Sequence, residues 1–263
     1  MIYIIQYLKI SKKMLIENLS LNKQKLLLKL SKKKHRQEFG LFIIEGSKIV
    51  EESFNEAQVE FIVVSDKFKG LSLKDLNIPI FKLTEKEFKK YSSLQNPEGI
   101  LAVVKIPESK LLEDPKRILM LNDINDPGNL GTIIRTLDWF DFDALILQGD
   151  CVDPYNEKVV RSSMGSIFRL PIIKSQNALE TFENYQNKNF ELLGLSLNGS
   201  SNLQIDSLKD KKLLLVFGSE SHGIPSNQES QIENLYQIAK LGKAESLNLS
   251  VSVGIACNLF AKN

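Results

Sequence analysis

Asp123-Ile-Asn-Asp-Pro-Gly-Asn-Leu-Gly-Thr-Ile-Ile-Arg-Thr136 is the stretch from which the rest of the chain is read. The apolar run Ile118 to Leu121 ahead of it reads as a buried strand, and Ile133, Ile134 and Leu137 behind it recur at helical spacing. Between them Pro127 and Gly128 turn the chain, Asn129 is the expected helix cap, and Gly131 admits a close backbone neighbour. Arg135 is expected in the second turn of that helix. A strand, a polar glycine-containing loop and a helix start form the arrangement with which open α/β sheets hold ligands outside the carboxyl ends of their strands. Taken alone, the loop fits an ordinary capped connection equally well.

Working outward, strands are expected at Ile118 to Leu121, Ala144 to Leu147, Leu170 to Ile173, Leu192 to Leu197, Leu213 to Phe217 and Tyr236 to Ala239. Helices are expected at Leu130 to Phe140, Tyr155 to Ser163, Ala178 to Asn187 and Ser250 to Ala261. This alternation predicts an α/β fold, a mostly parallel sheet with helices on both faces. Upstream, strands at Gly40 to Gly46, Val59 to Ser65, Ile78 to Leu83 and Gly99 to Ile106 combine with helices at Ser47 to Phe54 and from Thr84 through Tyr91 into a smaller αβ unit. Thr84 and Glu87 form a capping box for the second of these helices. The polar stretch from Pro107 to Pro115 reads as a linker, so the domains are 1–107, a linker at 108–115, and 116–263. Met14 offers an alternative start, which would make 1–13 a non-native or disordered lead.

With 263 residues, 43% of them hydrophobic, the chain can bury a substantial core. No apolar run approaches the roughly 20 residues of a membrane helix, and Met1 to Ile10 lacks the basic flank and cleavage site of a signal peptide. A cytoplasmic protein is expected. Cys151 and Cys257 are too few for a disulfide framework and have no metal-ligand spacing, so both are read as reduced thiols and no metal is expected. The net charge of +2 argues little, but its distribution is uneven. Lys23, Lys25, Lys29, Lys32, Lys33, Lys34 and Arg36 crowd one leucine-rich segment that reads as an amphipathic helix, either a solvated face or a surface for RNA phosphates.

Two further stretches share the character of the first. Leu213-Leu-Leu-Val-Phe217-Gly-Ser-Glu220-Ser-His-Gly223 is a buried strand entering a glycine-bounded loop with one carboxylate at its centre. His222 there is a lone histidine and takes no assigned role. Leu241-Gly-Lys-Ala-Glu-Ser246-Leu-Asn248-Leu-Ser250 leads into an apolar helix. Its Ser246, Asn248 and Ser250 suit either a helix cap or a substrate hydroxyl or phosphate at the positive helix end. The sequence has no G-x-G-x-x-G after a strand, no phosphate-binding G-x-x-x-x-G-K-[ST], no H-E-x-x-H and no G-x-S-x-G. These absences lower the standing of nicotinamide enzymes, phosphate-loop hydrolases, zinc proteases and serine hydrolases.

Together, Asn129-x-x-Gly-x-x-x-Arg-Thr, Phe-Gly-Ser-Glu220-x-x-Gly and Glu-Ser246-Leu-Asn248-x-Ser-Val resemble the three signature motifs of the SpoU (TrmH) family of RNA 2′-O-ribose methyltransferases in the SPOUT superfamily. Arg36-x-x-x-Gly40-Leu-Phe-Ile-Ile-Glu45-Gly46 resembles the opening of that family's N-terminal substrate-binding domain. The resemblance implies a trefoil-knotted C-terminal domain, a homodimer, S-adenosyl-L-methionine held on backbone at Gly218, Ile238 and Leu247, and structured RNA as substrate, ribosomal more than transfer RNA. It implies neither DNA nor a membrane as partner. Asn129, Arg135, Glu220, Ser246 and Asn248 match the family's functional polar positions. Arg135 is read as a clamp on the target phosphate that also acidifies the ribose hydroxyl, with that phosphate or a transiently neutral Arg135 taking the proton. Asn129 and Glu220 orient it and the ribose, and Ser246 and Asn248 hold the nucleotide and the loop. Ala239 and Lys240 stand where a Pro-Met pair is common, and Ser221 where glycine is frequent; contacts through backbone tolerate all three. The alternative is an RNA-binding protein that keeps the fold without the catalysis.

Overall fold

Buried β-branched and leucine runs pair into two separate sheets. The computed structural model describes residues 16–73, 76–109, 113–201, 205–208 and 210–261, and these divide into one unit up to Lys105 and another from Ile106. The alternative start at Met14, residues 1–13 and the centre of the expected linker, 110–112, lie outside the described residues.

In the first unit five strands, β1 (Ile16–Asn18), β2 (Leu41–Glu45), β3 (Val59–Ser65), β4 (Ile80–Leu83) and β5 (Ile100–Lys105), form a mixed sheet in the order β1-β4-β3-β5-β2. β1 pairs parallel with β4, a pairing the sequence reading missed. The lysine-rich segment is two helices, α1 (Leu21–Leu30) and α2 (Lys33–Phe39), where one was expected. The Ser31 hydroxyl donates to the carbonyl of Leu28, drawing the backbone away from a continuing helix, and Lys32 is extended. Leu27 and Leu30 turn into a core with Phe61, Phe81 and Phe88; Lys23 lies over the Phe61 and Phe81 rings and Arg36 is buried, contrary to the expectation of a single basic face, while Lys25, Lys29, Lys32, Lys33 and Lys34 remain exposed. Helix α3 (Ser47–Glu56) follows β2 as expected. The capping box at Thr84 is present, but its helix, α4 (Glu85–Phe88), ends a turn short of Tyr91.

In the second unit the strands are β6 (Arg117–Asn122), β7 (Ala144–Gln148), β8 (Ile172–Ser175), β9 (Phe190–Ser200), β10 (Lys212–Phe217) and β11 (Asn234–Tyr236). They lie in the order β11-β9-β10-β6-β7-β8 and every neighbouring pair is parallel. β8 begins two residues later than expected because Pro171 has no N–H for the ladder; its carbonyl instead accepts from Leu145. β11 ends at Tyr236, three residues before the expected Ala239, after a register shift against β9. Ile118, Met120, Ala144, Ile146, Leu214 and Val216 pack on one face against Ala178, Phe182 and Tyr185 of α7 (Ala178–Gln186). The alternating residues face α5 (Pro127–Trp139), α6 (Glu157–Ser163) and α9 (Leu249–Phe260). A short helix, α8 (Ser226–Glu229), precedes β11.

At the amino edge of this sheet, buried Arg117 donates to the carbonyl of Phe260 at 2.6 Å and to that of Lys211, fastening the end of α9 to β6. No described helix is long and apolar enough to cross a membrane.

Candidate functional site

All six strands of the second sheet end on one edge, and the three singled-out stretches leave from it. The first differs locally from its sequence reading. Asp126, not Asn129, caps α5: its Oδ1 accepts the N–H of Asn129 at 2.7 Å, and Pro127 opens the helix, where a missing N–H costs nothing. Asn129 therefore sits in the first turn with its side-chain amide free, and Arg135 falls in the third turn, one later than expected. The Asp-Pro pair was the signal for this cap.

The freed amide joins the three stretches. Asn129 Nδ2 donates to Glu220 Oε1, and Asn129 Oδ1 accepts from Asn248 Nδ2 at 3.1 Å. Asn248 in turn caps α9, its Oδ1 accepting the N–H of Ser250 at 2.9 Å and the Ser250 hydroxyl at 2.7 Å. The direction of this chain is fixed from its far end: the Asn248 oxygen accepts at the helix cap, so its amide nitrogen donates to Asn129 Oδ1 and the Asn129 amide nitrogen is left to donate to Glu220. Glu220, Asn129 and Asn248 are thus brought together. Ser250 belongs to the cap, while Ser246 is exposed and forms no hydrogen bond among the described residues.

Glu220 rides on a tight turn after β10. Ser219 and Gly223 exchange two backbone hydrogen bonds of 3.0 Å. A Cβ on Gly218 would lie 1.7 Å from the carbonyl carbon of Gly223, so only glycine fits there. His222 stays within the turn, its ring bonded to the Ser221 hydroxyl. Arg135 lies on the exposed face of α5 with Thr132 and Trp139, and has no hydrogen-bond or ion-pair partner among the described residues. Arg135 is not brought into the hydrogen-bonded chain; its guanidinium is exposed and uncommitted on the same helix as Asn129, a state in which it can meet a phosphate.

The expected cofactor positions fit a nucleoside held by backbone. Gly218 is buried at the end of β10, Ile238 is half-buried, and Leu247 is 49% exposed. Between Ile238 and Leu247 the main chain makes no hydrogen bond to other main chain among the described residues, so its N–H and C=O groups remain available beside apolar side chains. Cys151 lies behind the loop, its Sγ bonded to the N–H of Ile124 and the carbonyl of Gln148; burial pushes its pKa up, which suits a packing thiol and not a nucleophile. No group of His, Cys, Asp and Glu among the described residues could hold a metal.

Comparison with known proteins agrees with this geometry. The profile of the SpoU rRNA Methylase family matches residues 116–258, and that of an MRM3-like substrate binding domain matches residues 22–102. Over 230 residues the chain is 32% identical to the 23S rRNA (guanosine(2553)-2′-O)-methyltransferase RlmP of Bacillus subtilis, spanning 86% of this chain and 91% of that protein. The crystal structure of an AdoMet-bound rRNA methyltransferase from Sinorhizobium meliloti superimposes with a TM-score of 0.79 at 28% identity, over 92% of this chain and 96% of the other. The AviRb methyltransferase of Streptomyces viridochromogenes shares the fold, with a TM-score of 0.80 at 21% identity over 92% of this chain and 97% of the other.

Proposed function

The chain belongs to the SpoU rRNA methylase family, and we propose that it transfers a methyl group from S-adenosyl-L-methionine to a ribose 2′-hydroxyl of 23S ribosomal RNA. The observation that carries this reading is the hydrogen-bonded chain Glu220–Asn129–Asn248 at the carboxyl edge of the parallel sheet, with uncommitted Arg135 on the same helix as Asn129.

Gly218, Ile238 and Leu247 hold the cofactor, which supplies a methyl group on a sulfonium and leaves as a neutral thioether. Arg135 clamps the target phosphate and lowers the pKa of the adjacent hydroxyl, whose proton passes through that phosphate to solvent as the oxygen takes the methyl. Glu220 and Asn129 orient the ribose, and Asn248 with Ser246 keeps the nucleotide over the loop. A requirement for a 2′-hydroxyl makes RNA the substrate and excludes DNA. The unit at 1–107 binds the RNA through the lysines of α1 and α2, with 108–115 as linker to the methyltransferase domain at 116–263.

The functional form is a cytoplasmic homodimer, and the second unit carries the trefoil knot implied by family membership. Support for the dimer comes from apolar surface on two helices packed against each other. Trp139 of α5 is 83% exposed, and Val251 of α9 is half exposed. Trp139 is the sole tryptophan, so its emission should shift to the blue as protein concentration rises; emission independent of concentration, with a monomeric sedimentation coefficient, would remove the dimer.

The activity is tested with radiolabelled S-adenosyl-L-methionine and total RNA from a strain lacking the gene, beside wild-type RNA. Label entering only the deletion-strain RNA, in the large ribosomal fraction, is the expected result. Cofactor binding without label in that RNA or in ribosomal assembly intermediates would leave the non-catalytic reading.

A further inference from the structure

Asn122 is the last residue of β6 and is 1% exposed. It continues the row of Ile118 and Met120 on the α7 face, where a leucine would pack at no polar cost. Its Nδ2 donates to the carbonyl of Phe217 at 2.9 Å, and its Oδ1 is buried with no hydrogen-bond partner. Because a carbonyl can only accept, the amide cannot be turned round, and the unpartnered oxygen faces away from β10. A buried orphan acceptor costs the desolvation of its oxygen with nothing in return. A position that retains such a cost beside a ligand-binding edge invites a functional account.

The account lies in what the Nδ2 bond fixes. Phe217 is the last residue of β10, and its carbonyl belongs to the same planar peptide as the N–H of Gly218. Holding that oxygen fixes the plane, and with it the direction of the Gly218 N–H and the root of the turn that carries Glu220.

We propose that Asn122 is a positioning residue for cofactor binding: by clasping the Phe217 carbonyl it aims the Gly218 amide, and thereby the Glu220 turn, at the bound cofactor. The proposal rests on the cofactor reading above. Asn122 acts through Gly218 and touches neither substrate nor cofactor.

The test compares wild type with Asn122→Leu, which removes donor and orphan acceptor together, and Asn122→Asp, which keeps the shape but replaces the donor with an acceptor. Three quantities are read: thermal midpoint of the cofactor-free protein, amide hydrogen exchange at Gly218 and Ser219 in that protein, and Kd for S-adenosylhomocysteine by calorimetry. Asn122→Leu should melt at or above the wild-type temperature, exchange about tenfold faster at these two amides, and bind about tenfold more weakly, since one or two hydrogen bonds' worth of positioning is removed. Asn122→Asp should share the faster exchange and weaker binding, and it decides the matter if the leucine variant does not fold. Affinity within twofold of wild type, or weakened binding with unchanged exchange at Gly218, overturns the proposal. Wild-type protein that takes up no S-adenosylhomocysteine overturns the cofactor reading itself, and is told apart because it fails before any variant is compared.

Discussion

The two units use their polar groups in opposite ways. In the first, polar side chains inside the fold serve the fold: Glu45 accepts from Ser92 and from the N–H of Ser93, and Arg36 donates to the carbonyl of Leu30. What this unit offers outward is charge. Lys25, Lys29, Lys32, Lys33 and Lys34 are exposed and form no ion pair among the described residues. In the second unit Arg169, Lys211 and Lys212 are paired with Asp138, Glu191 and Asp114, as Lys67, Lys89 and Lys105 of the first are with Glu85 and Glu60, while the carboxyl edge presents a fixed amide chain. Unpaired charge attracts a polyanion at a distance and tolerates variable geometry, whereas a fixed amide chain demands one geometry. One region should therefore govern affinity and the other rate.

The strongest way to break that division is Arg135→Ala. Methyl transfer should fall by about 10²–10³-fold, the usual consequence of losing a preorganised charged donor, with RNA affinity changed less than about threefold. A large loss of affinity in a gel-shift titration would show Arg135 to be part of the RNA-binding charge instead. Next in size, Asn129→Ala and Asn248→Ala should each lower kcat by about 30–100-fold at unchanged RNA affinity. Because the two amides share a hydrogen bond, the double variant should lose little more than either single one; fully additive losses would mean that the chain does not act as a unit.

Much of this edge was legible beforehand. The parallel α/β class followed from alternating apolar runs, and the three polar stretches stood out because each pairs glycine with side chains that cap or bind. What could not be read was which oxygen does which job. Asp126 and Asn129 are both good caps, and only the Pro127 start of α5 decides between them, releasing Asn129 to bridge Glu220 and Asn248. Asn122 was invisible as a functional residue because one polar residue at the end of an apolar strand looks like a strand end. Its bond to Phe217 spans 95 residues of sequence. The break between α1 and α2 was missed for a smaller reason, a serine hydroxyl competing locally with the helix.

The other side of the division is sharpened by Lys25, Lys29 and Lys33 changed together to glutamine. The RNA Kd should rise by about tenfold at low salt with kcat unchanged. The slope of log affinity against log salt should shrink by about 2, near 0.7 for each phosphate of a single strand that is no longer neutralised. An unaltered salt slope would mean that these lysines are merely solvated, and the RNA-binding role of this unit would fall.

The smallest effect separates the units by stability. Burial pushes Cys257 from an ordinary 9 up to about 12, and burial with Asp153 nearby pushes Tyr155 from 10 up to about 12; both lie in the second unit. A raised acid is neutral in the fold but ionises in the unfolded chain. The stabilisation is therefore complete below pH 9 and is lost as pH rises toward 12. By pH 10 the thiol alone should have lost about 1.4 kcal/mol, one pH unit's worth of linkage. Urea unfolding followed by pulse-labelled amide exchange in β6 and β10, which report on the second unit, should show its midpoint falling between pH 8 and pH 10, with about half or less of that fall in Cys257→Ala. Protection of the amides in β3 and β5, relative to their intrinsic exchange at each pH, should change little over the same range, since the first unit's raised groups, Tyr91 and Lys67, are half-exposed and exposed and poorly placed to couple ionisation to folding. A first unit that loosens ahead of the second would reverse the order and locate the alkaline weakness in the RNA-binding region.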